Sequence, residues 1–326
     1  MKKKIIFRAD ASEQIGYGHF VRSLALAEMM KDDFDVTFFT EQPTEEQRKQ
    51  VNAICPLVEL PAGDAKFDQF LNCLQGNEIV FLDNYFFSSD YQLQIKKRGS
   101  KLICLGTNDR HYYCDVLLNF AESDASIFSV EPYTQIKLGI DWAILRKPFH
   151  EIQPIRPKQR QNRIAICYGG TDQYHLTEKT VKIIQTLPEH IAITLIATDR
   201  FGEERFASLR EQGVNCLVNA TAEQMIETFS KCDFLISSAS TIAHEGLACQ
   251  LPVVCGYYVE NQRRMYEYLT KENLVIGKGN NYYKYACIYY EYMQFKRGVF
   301  KCTNLEYDSV TGRVIKIDFL FTGKIH

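Results

Sequence analysis

The sequence predicts an α/β chain built as two successive open parallel sheets, and three observations predict it. Short apolar runs alternate with amphipathic segments from end to end, the pattern of repeated βα units. The rhythm breaks over residues 147–162, where three of the nine prolines (Pro148, Pro154, Pro157) fall among charged and amide residues, as in an interdomain linker. It then restarts with a second apolar run that ends in a Gly-Gly turn.

Taken in order, Lys4 to Phe7 reads as the first strand. Val21, Leu24, Ala25 and Met29 recur at helical spacing, so a helix is expected from about His19 to Met30. Further strands are expected at Val36 to Phe39, Ile79 to Leu82, Leu102 to Leu105 and Val116 to Leu118. Beyond the linker, strands are expected at Arg163 to Tyr168, Ile191 to Ala197, Cys216 to Val218, Phe234 to Ser237 and Pro252 to Gly256. The expected organisation is a first domain over 1–147, a linker over 148–162, a second domain over 163–279 and a tail over 280–326. The tail is dense in tyrosine and strand-like around Val314 to Phe321, which fits an appended hairpin or a non-native extension. Two such sheets place a ligand crevice at the carboxyl ends of their strands, between the halves.

Composition narrows the function classes. The 326 residues are 46% hydrophobic and 24% charged, with a formal net charge of -2, so nothing in the bulk charge points to nucleic acid or an anionic membrane. The apolar run after the amino-terminal lysines is only Ile5 to Phe7, too short for a signal-peptide core. No stretch is apolar for long enough to span a bilayer. The eleven cysteines are scattered singly without a Cys-x-x-Cys pair, which suits buried reduced thiols. The expectation is a cytoplasmic monomer with no membrane or nucleic-acid partner.

The first strand runs into a loop containing Asp10, Gly16 and Gly18, and the helix opens at His19. Glycines permit close backbone approach, and the first helical turn presents N–H groups. The dinucleotide fingerprint is incomplete, because Val21 stands where its third glycine belongs. His19 at a helix start can serve as a proton acceptor or merely cap the helix. Asp10 can orient the imidazole, bind a sugar hydroxyl or cap the loop. In the second half, Gly169-Gly170-Thr171-Asp172 is a turn able to bring N–H groups to a phosphate. Ser238, Ser240 and Thr241 open a helix carrying His244 and Glu245; they suit phosphate oxygens or ordinary N-capping. Glu245 can accept bonds from both ribose hydroxyls of a nucleotide, and Asn261-Gln262 offers amides to a sugar or phosphate.

Arg8-Ala9-Asp10-Ala11-Ser12, followed by Ile15-Gly16-Tyr17-Gly18-His19 and Arg22, resembles the opening signature of the UDP-sugar hydrolases of pseudaminic acid biosynthesis. The similarity continues through Asp83-Asn84-Tyr85, the Gly169 to Asp172 turn, Ser237 to Glu245 and Asn261-Gln262, over about residues 4 to 275. The resemblance implies a GT-B-like fold of two Rossmann-like domains with the active site in the interdomain cleft. It implies a UDP-linked diacetamido-trideoxy sugar as substrate, no cofactor and no metal. His19 would be the base that activates water for inverting attack at C1. Asp10, Gly16, Gly18, Asp83, Tyr85, Gly169, Gly170, Thr171, Asp172, His175, Ser238, Ser240, Thr241, Glu245, Asn261 and Gln262 would form the substrate-binding set. Two departures stand out: His175 occupies a position that is often asparagine in that family, and the tail differs from the family's ending. A GT-B glycosyltransferase, a non-catalytic UDP-sugar-binding module and, less well supported, an NAD-dependent oxidoreductase are the competing readings.

Overall fold

The structure, a computed structural model, describes residues 2–12, 16–152, 162–187, 190–277, 300–307 and 314–321. Most of the expected linker (153–161) and much of the tail, including 278–299, lie outside the described residues. The chain divides into two compact units, Met1–Lys147 and Pro148–His326.

The first unit runs β1 (Lys4–Arg8), α1 (Gly18–Met30), β2 (Asp35–Glu41), α2 (Glu45–Asn52), β3 (Leu57–Leu60), α3 (Ala65–Cys73), β4 (Ile79–Leu82), α4 (Ser89–Lys97), β5 (Lys101–Leu105), β6 (His111–Tyr112), β7 (Val116–Asn119), β8 (Ser129–Val130) and β9 (Gln135–Leu138). Its main sheet has the order β3-β2-β1-β4-β5-β7-β9. Every adjacent pair in it is parallel. Strand β1 is central and buried from Ile5 to Arg8, which is why its sequence is a continuous apolar run and not an alternating one. Its successive residues serve opposite faces. Ile5 and Phe7 join Phe20, Leu24 and Ala27 of α1 in one cluster, while Ile6 joins Phe70 of α3 and Tyr91 and Ile95 of α4 in another. Helices therefore cover both faces of the sheet. The chain winds outward from β1 to β3 and returns to β4 on the other side, so the loops after β1 and β4 part at a topological switch point.

The second unit repeats this plan with β10 (Arg163–Cys167), α5 (Leu176–Ile184), β11 (Ala192–Ala197), α6 (Glu203–Glu211), β12 (Asn215–Val218), α7 (Ala222–Ser230), β13 (Phe234–Ser238), α8 (Thr241–Ala248), β14 (Val253–Gly256), α9 (Glu260–Lys271) and β15 (Ile276–Gly277). The order is β12-β11-β10-β13-β14-β15, again parallel throughout. Its switch point lies between β10 and β13. A separate antiparallel pair, β16 (Phe300–Tyr307) with β17 (Val314–Phe321), follows in the tail.

Helix α8 can lie close on β13 and β14 because residue 246 has no side chain. A Cβ there would stand 2.7 Å from a Leu235 methyl and 3.1 Å from a Val253 methyl. Gly246→Val should therefore overpack this contact and cost about 1–3 kcal/mol, read as a lower urea midpoint at unchanged m-value. An unchanged midpoint would show that the sheet face yields without strain.

Candidate functional site

In the first unit the candidate residues gather at the carboxyl ends of β1 and β4. His19, the second residue of α1, is 4% exposed. Asp83, the first residue after β4, is 1% exposed. The His19 Nδ1 stands 2.7 Å from Asp83 Oδ1. One turn along α1, Arg22 donates from Nε to Asp83 Oδ2 and from Nη2 to Oδ1, each at 2.5 Å, and Ser23 donates its hydroxyl to Oδ2 at 3.3 Å. Burial alone would raise the Asp83 carboxyl, but the Arg22 charge and the His19 contact outweigh it and hold it at about 2. An ionised carboxylate only accepts, so a neutral His19 ring facing Asp83 donates from Nδ1 and has its lone pair on Nε2. The Tyr85 ring, 46% exposed, meets the imidazole edge to face at 4.5 Å.

Asp10 occupies a different place from the imidazole's partner. Its carboxylate is buried and gripped by the two terminal guanidinium nitrogens of Arg8, accepts from the Glu41 N–H at 2.7 Å, and pairs with Lys66 at 3.3 Å. Burial would raise its pKa, yet these partners lower it. The Asp10 backbone is clipped to Asn84, donating its N–H to Oδ1 at 2.7 Å and accepting from Nδ2 at 3.2 Å. The clip ties the loop after β1 to the loop that carries Asp83. Gly16 has a φ of +84°, and its N–H donates to the Ser12 carbonyl. Gly18 is the first residue of α1, whose N-cap residue Tyr17 makes no side-chain capping bond. Residues 13–15 of this loop lie outside the described residues.

In the second unit the turn after β10 is built on Gly169, whose φ of +94° suits glycine. The Gly170 carbonyl accepts from the N–H and hydroxyl of Thr198, and Thr171 offers its carbonyl to Arg205. Asp172 caps α5, accepting from the N–H groups of Leu176 at 3.0 Å and Thr177 at 2.7 Å. Its burial outweighs those bonds and raises its pKa. His175 has a left-handed backbone (φ +53°) and an exposed side chain near Glu178; asparagine and histidine both adopt that conformation more readily than most residues.

Ser238 and Ser240 meet hydroxyl to hydroxyl at 3.3 Å ahead of Thr241, and α8 starts without a side-chain cap. Glu245 is 2% exposed. Its neighbour His244 is a core residue, pushed down to about 4 by burial. Asn261 is exposed at the start of α9, and Gln262 accepts from the Tyr258 N–H. The structure thus places the candidates in two sets, one in each unit: those of the first after β1 and β4, those of the second after β10 and β13, with Asn261 and Gln262 after β14. Among the described residues no cluster suited to a metal ion occurs, nine cysteines from Cys55 to Cys255 are free thiols, and no described helix is long and apolar enough to cross a membrane.

In the sequence Arg8, Arg22 and Asn84 stand as motif letters only, and Lys66 is not singled out. The i,i+3 spacing of His19 and Arg22 on one helix was the available signal for Arg22. Arg8 and Lys66 gave none, because the partner of both is fixed by the fold.

With this geometry in hand, the chain can be compared with known proteins. No protein-family model matches it. A curated relative, the UDP-2,4-diacetamido-2,4,6-trideoxy-β-L-altropyranose hydrolase of Campylobacter jejuni, is 26% identical over 82% of this chain and 97% of its own. An uncharacterised protein of Methanocaldococcus jannaschii is 24% identical over 82% of this chain and 58% of its own. Among solved structures, MurG of Acinetobacter baumannii superposes with a TM-score of 0.61 at 13% identity, covering 91% of each chain. The fold is that of the GT-B glycosyltransferases. UGT2 of Phytolacca americana, solved with UDP-2-fluoro-glucose and pterostilbene, gives 0.57 at 10% identity over 86% of this chain and 85% of its own. The GT-B architecture expected from the sequence is thus present, and so is the similarity to the sugar-nucleotide hydrolase.

The buried carboxylate also makes a prediction for stability. The Asp83 pKa falls from 3.8 to about 2 on folding. A depressed carboxyl stabilises the fold above its unfolded value and loses that contribution as pH falls from 3.8 through 2, on the order of 2 kcal/mol. Asp83→Asn should be less stable than the parent at pH 7, and the gap should narrow as pH drops below 4. Urea unfolding at pH 7 and pH 3 measures it; a gap independent of pH would rule the linkage out.

Proposed function

We propose that the chain hydrolyses a UDP-linked diacetamido-trideoxy sugar to UDP and free sugar in pseudaminic acid biosynthesis, acting as a cytoplasmic monomer. The observation that carries the reading is the 2.7 Å contact of Asp83 with His19 Nδ1 at a switch point, which in the neutral ring puts the lone pair on Nε2. The similarity to the Campylobacter hydrolase over nearly its whole length supplies the substrate class.

In the proposed reaction a water gives its proton to His19 Nε2 while its oxygen bonds to C1 of the sugar. The bond from C1 to the UDP oxygen breaks, and UDP leaves with the electron pair. One direct displacement inverts C1. The imidazolium that forms lies against the Asp83 carboxylate, 2.7 Å from Nδ1, which stabilises the new charge without itself taking the proton. Tyr85, with Gly16, Gly18 and Asp83, belongs to the sugar side of the assignment, and Asp10 supports that loop. UDP is assigned to the second unit: its diphosphate to the backbone of Gly169, Gly170 and Thr171 and to the α8 start at Ser238, Ser240 and Thr241, and its ribose to Glu245. Asn261, Gln262, Asp172 and His175 complete the assignment. Uncapped helix N–H groups favour the negative charge that grows on the leaving diphosphate, so the reaction as proposed uses no metal.

A second reading is glycosyl transfer, favoured by the GT-B fold itself; an acceptor hydroxyl would then take the place of water. The deciding experiment supplies the UDP-sugar with EDTA and no acceptor. The expected outcome is free sugar and UDP in equal amounts at a rate indifferent to EDTA. His19→Ala should lower that rate by about 10²–10⁴-fold while UDP binding persists. A His19→Ala protein that turns over at the parental rate would refute the base, and release of UDP only when an acceptor is present would favour transfer.

A further inference from the structure

We propose that Arg22 is the positioning residue of this site: its guanidinium fork locks the Asp83 carboxylate in the one orientation that keeps His19 Nε2 unprotonated. The proposal rests on the hydrolase reading for its kinetic consequence and stands by itself for its structural one.

The geometry behind it is specific. Nε and Nη2 of Arg22 address the two oxygens of Asp83 separately, at 2.5 Å each, the paired arrangement a planar guanidinium makes and an ammonium does not. His19, Arg22 and Ser23 all reach Asp83 from one helix, so α1 carries both the proposed base and the groups that orient the base's partner. The Arg22 side chain is 12% exposed, and its guanidinium stands 5.8 Å from the centroid of the Phe120 ring. Solvent screening of the pair is therefore weak.

Arg22 Nη2 is also 2.7 Å from His19 Nδ1. Both nitrogens lie within hydrogen-bonding reach of the same oxygen, Asp83 Oδ1, so the place of that carboxylate decides what Nδ1 meets. Were Asp83 to rotate away, Nδ1 would lose the acceptor that holds its proton, the ring proton would move to Nε2, and the nitrogen assigned to water would become a donor. The site therefore has a productive and an unproductive tautomer separated by the orientation of one carboxylate. The groups around that choice are Asp83 after β4, Arg22 and Ser23 on α1, and the Tyr85 ring against the imidazole.

The test uses the full chain labelled with ¹⁵N-histidine, its His19 signals assigned by loss in His19→Gln, and long-range ¹H–¹⁵N spectra across a pH series. The parent should show a single Nδ1–H tautomer. Arg22→Gln should populate the Nε2–H form and lower kcat for UDP release about 100-fold, with KM within about twofold of the parent, the split expected of a group that acts through Asp83 and not on substrate. Arg22→Lys, which restores charge without the fork, should fall between the two and guards against a glutamine variant that fails to fold. An Arg22→Gln protein that keeps one Nδ1–H tautomer overturns the proposal, whether kcat is parental or reduced, since a reduced rate would then mean direct action on substrate. A parent found in the Nε2–H form overturns it as well. If the parent releases no UDP, the hydrolase reading fails and the tautomer in Arg22→Gln alone decides: a mixture supports the positioning role and a single Nδ1–H form refutes it.

Discussion

The first unit is organised around one buried negative charge. Asp83 sits at the end of β4 with 1% of its surface in contact with solvent, a place where an unpaired carboxylate would cost several kcal/mol. Three donors from α1 make it tolerable. Because those donors come from a helix that follows β1 and the acceptor follows β4, the charge cannot be satisfied unless the two strands are adjacent and in register. That adjacency is the sheet's switch point, with Phe7 opposite Phe81 and Arg8 opposite Leu82. The same contact that places His19 thus also depends on the topology, and a loss of either would be felt in the other.

A second charged knot lies beside the first. Arg8 is fully buried, an unusual fate for arginine, and its guanidinium holds Asp10, which also gathers Lys66 and the Glu41 backbone. Asn84 joins the knots, because it is the residue after Asp83 and its amide pairs with the Asp10 backbone on both sides. Rigidity near His19 therefore comes from polar groups that satisfy one another, not from apolar packing alone. Such networks hold one arrangement firmly when complete and are costly when one member is removed.

What the sequence made legible follows from burial. The strands at the sheet centres, β1, β4, β10 and β13, are apolar nearly throughout because both faces are covered, and they were found within a residue or two of their ends. Within the two main sheets the strands that the sequence does not announce, β3, β9 and β15, are edges. Leu57–Leu60 and Gln135–Leu138 are half-exposed, and Ile276–Gly277 is two residues long, so none offers an apolar run. His19, the glycines and the Asp83 motif were visible as sequence neighbours of strand ends. What could not be read was which acid faces which base: Asp10 and Asp83 are both near a strand end, and only the fold shows Asp83 on the imidazole and Asp10 on Arg8. In the tail, β17 coincides with the Val314 to Phe321 stretch that reads as a strand in the sequence, and it pairs with β16.

The two units share a topology and differ in chemistry at the same topological position. After β1 and β4 the first unit concentrates ionisable groups, each charge answered by another within about hydrogen-bonding distance, and a histidine nitrogen is left over. After β10 and β13 the second unit presents glycine backbone, small hydroxyls and a helix start without a side-chain cap. Charged, mutually satisfied groups are poor at receiving a polyanion but good at fixing a proton's location. Backbone N–H groups and hydroxyls are the reverse, since they meet phosphate oxygens at close range and carry no titration of their own near neutrality. One topology duplicated in one chain therefore carries two different sets of groups, and the asymmetry lies in the residues at the switch points, not in the sheets that hold them.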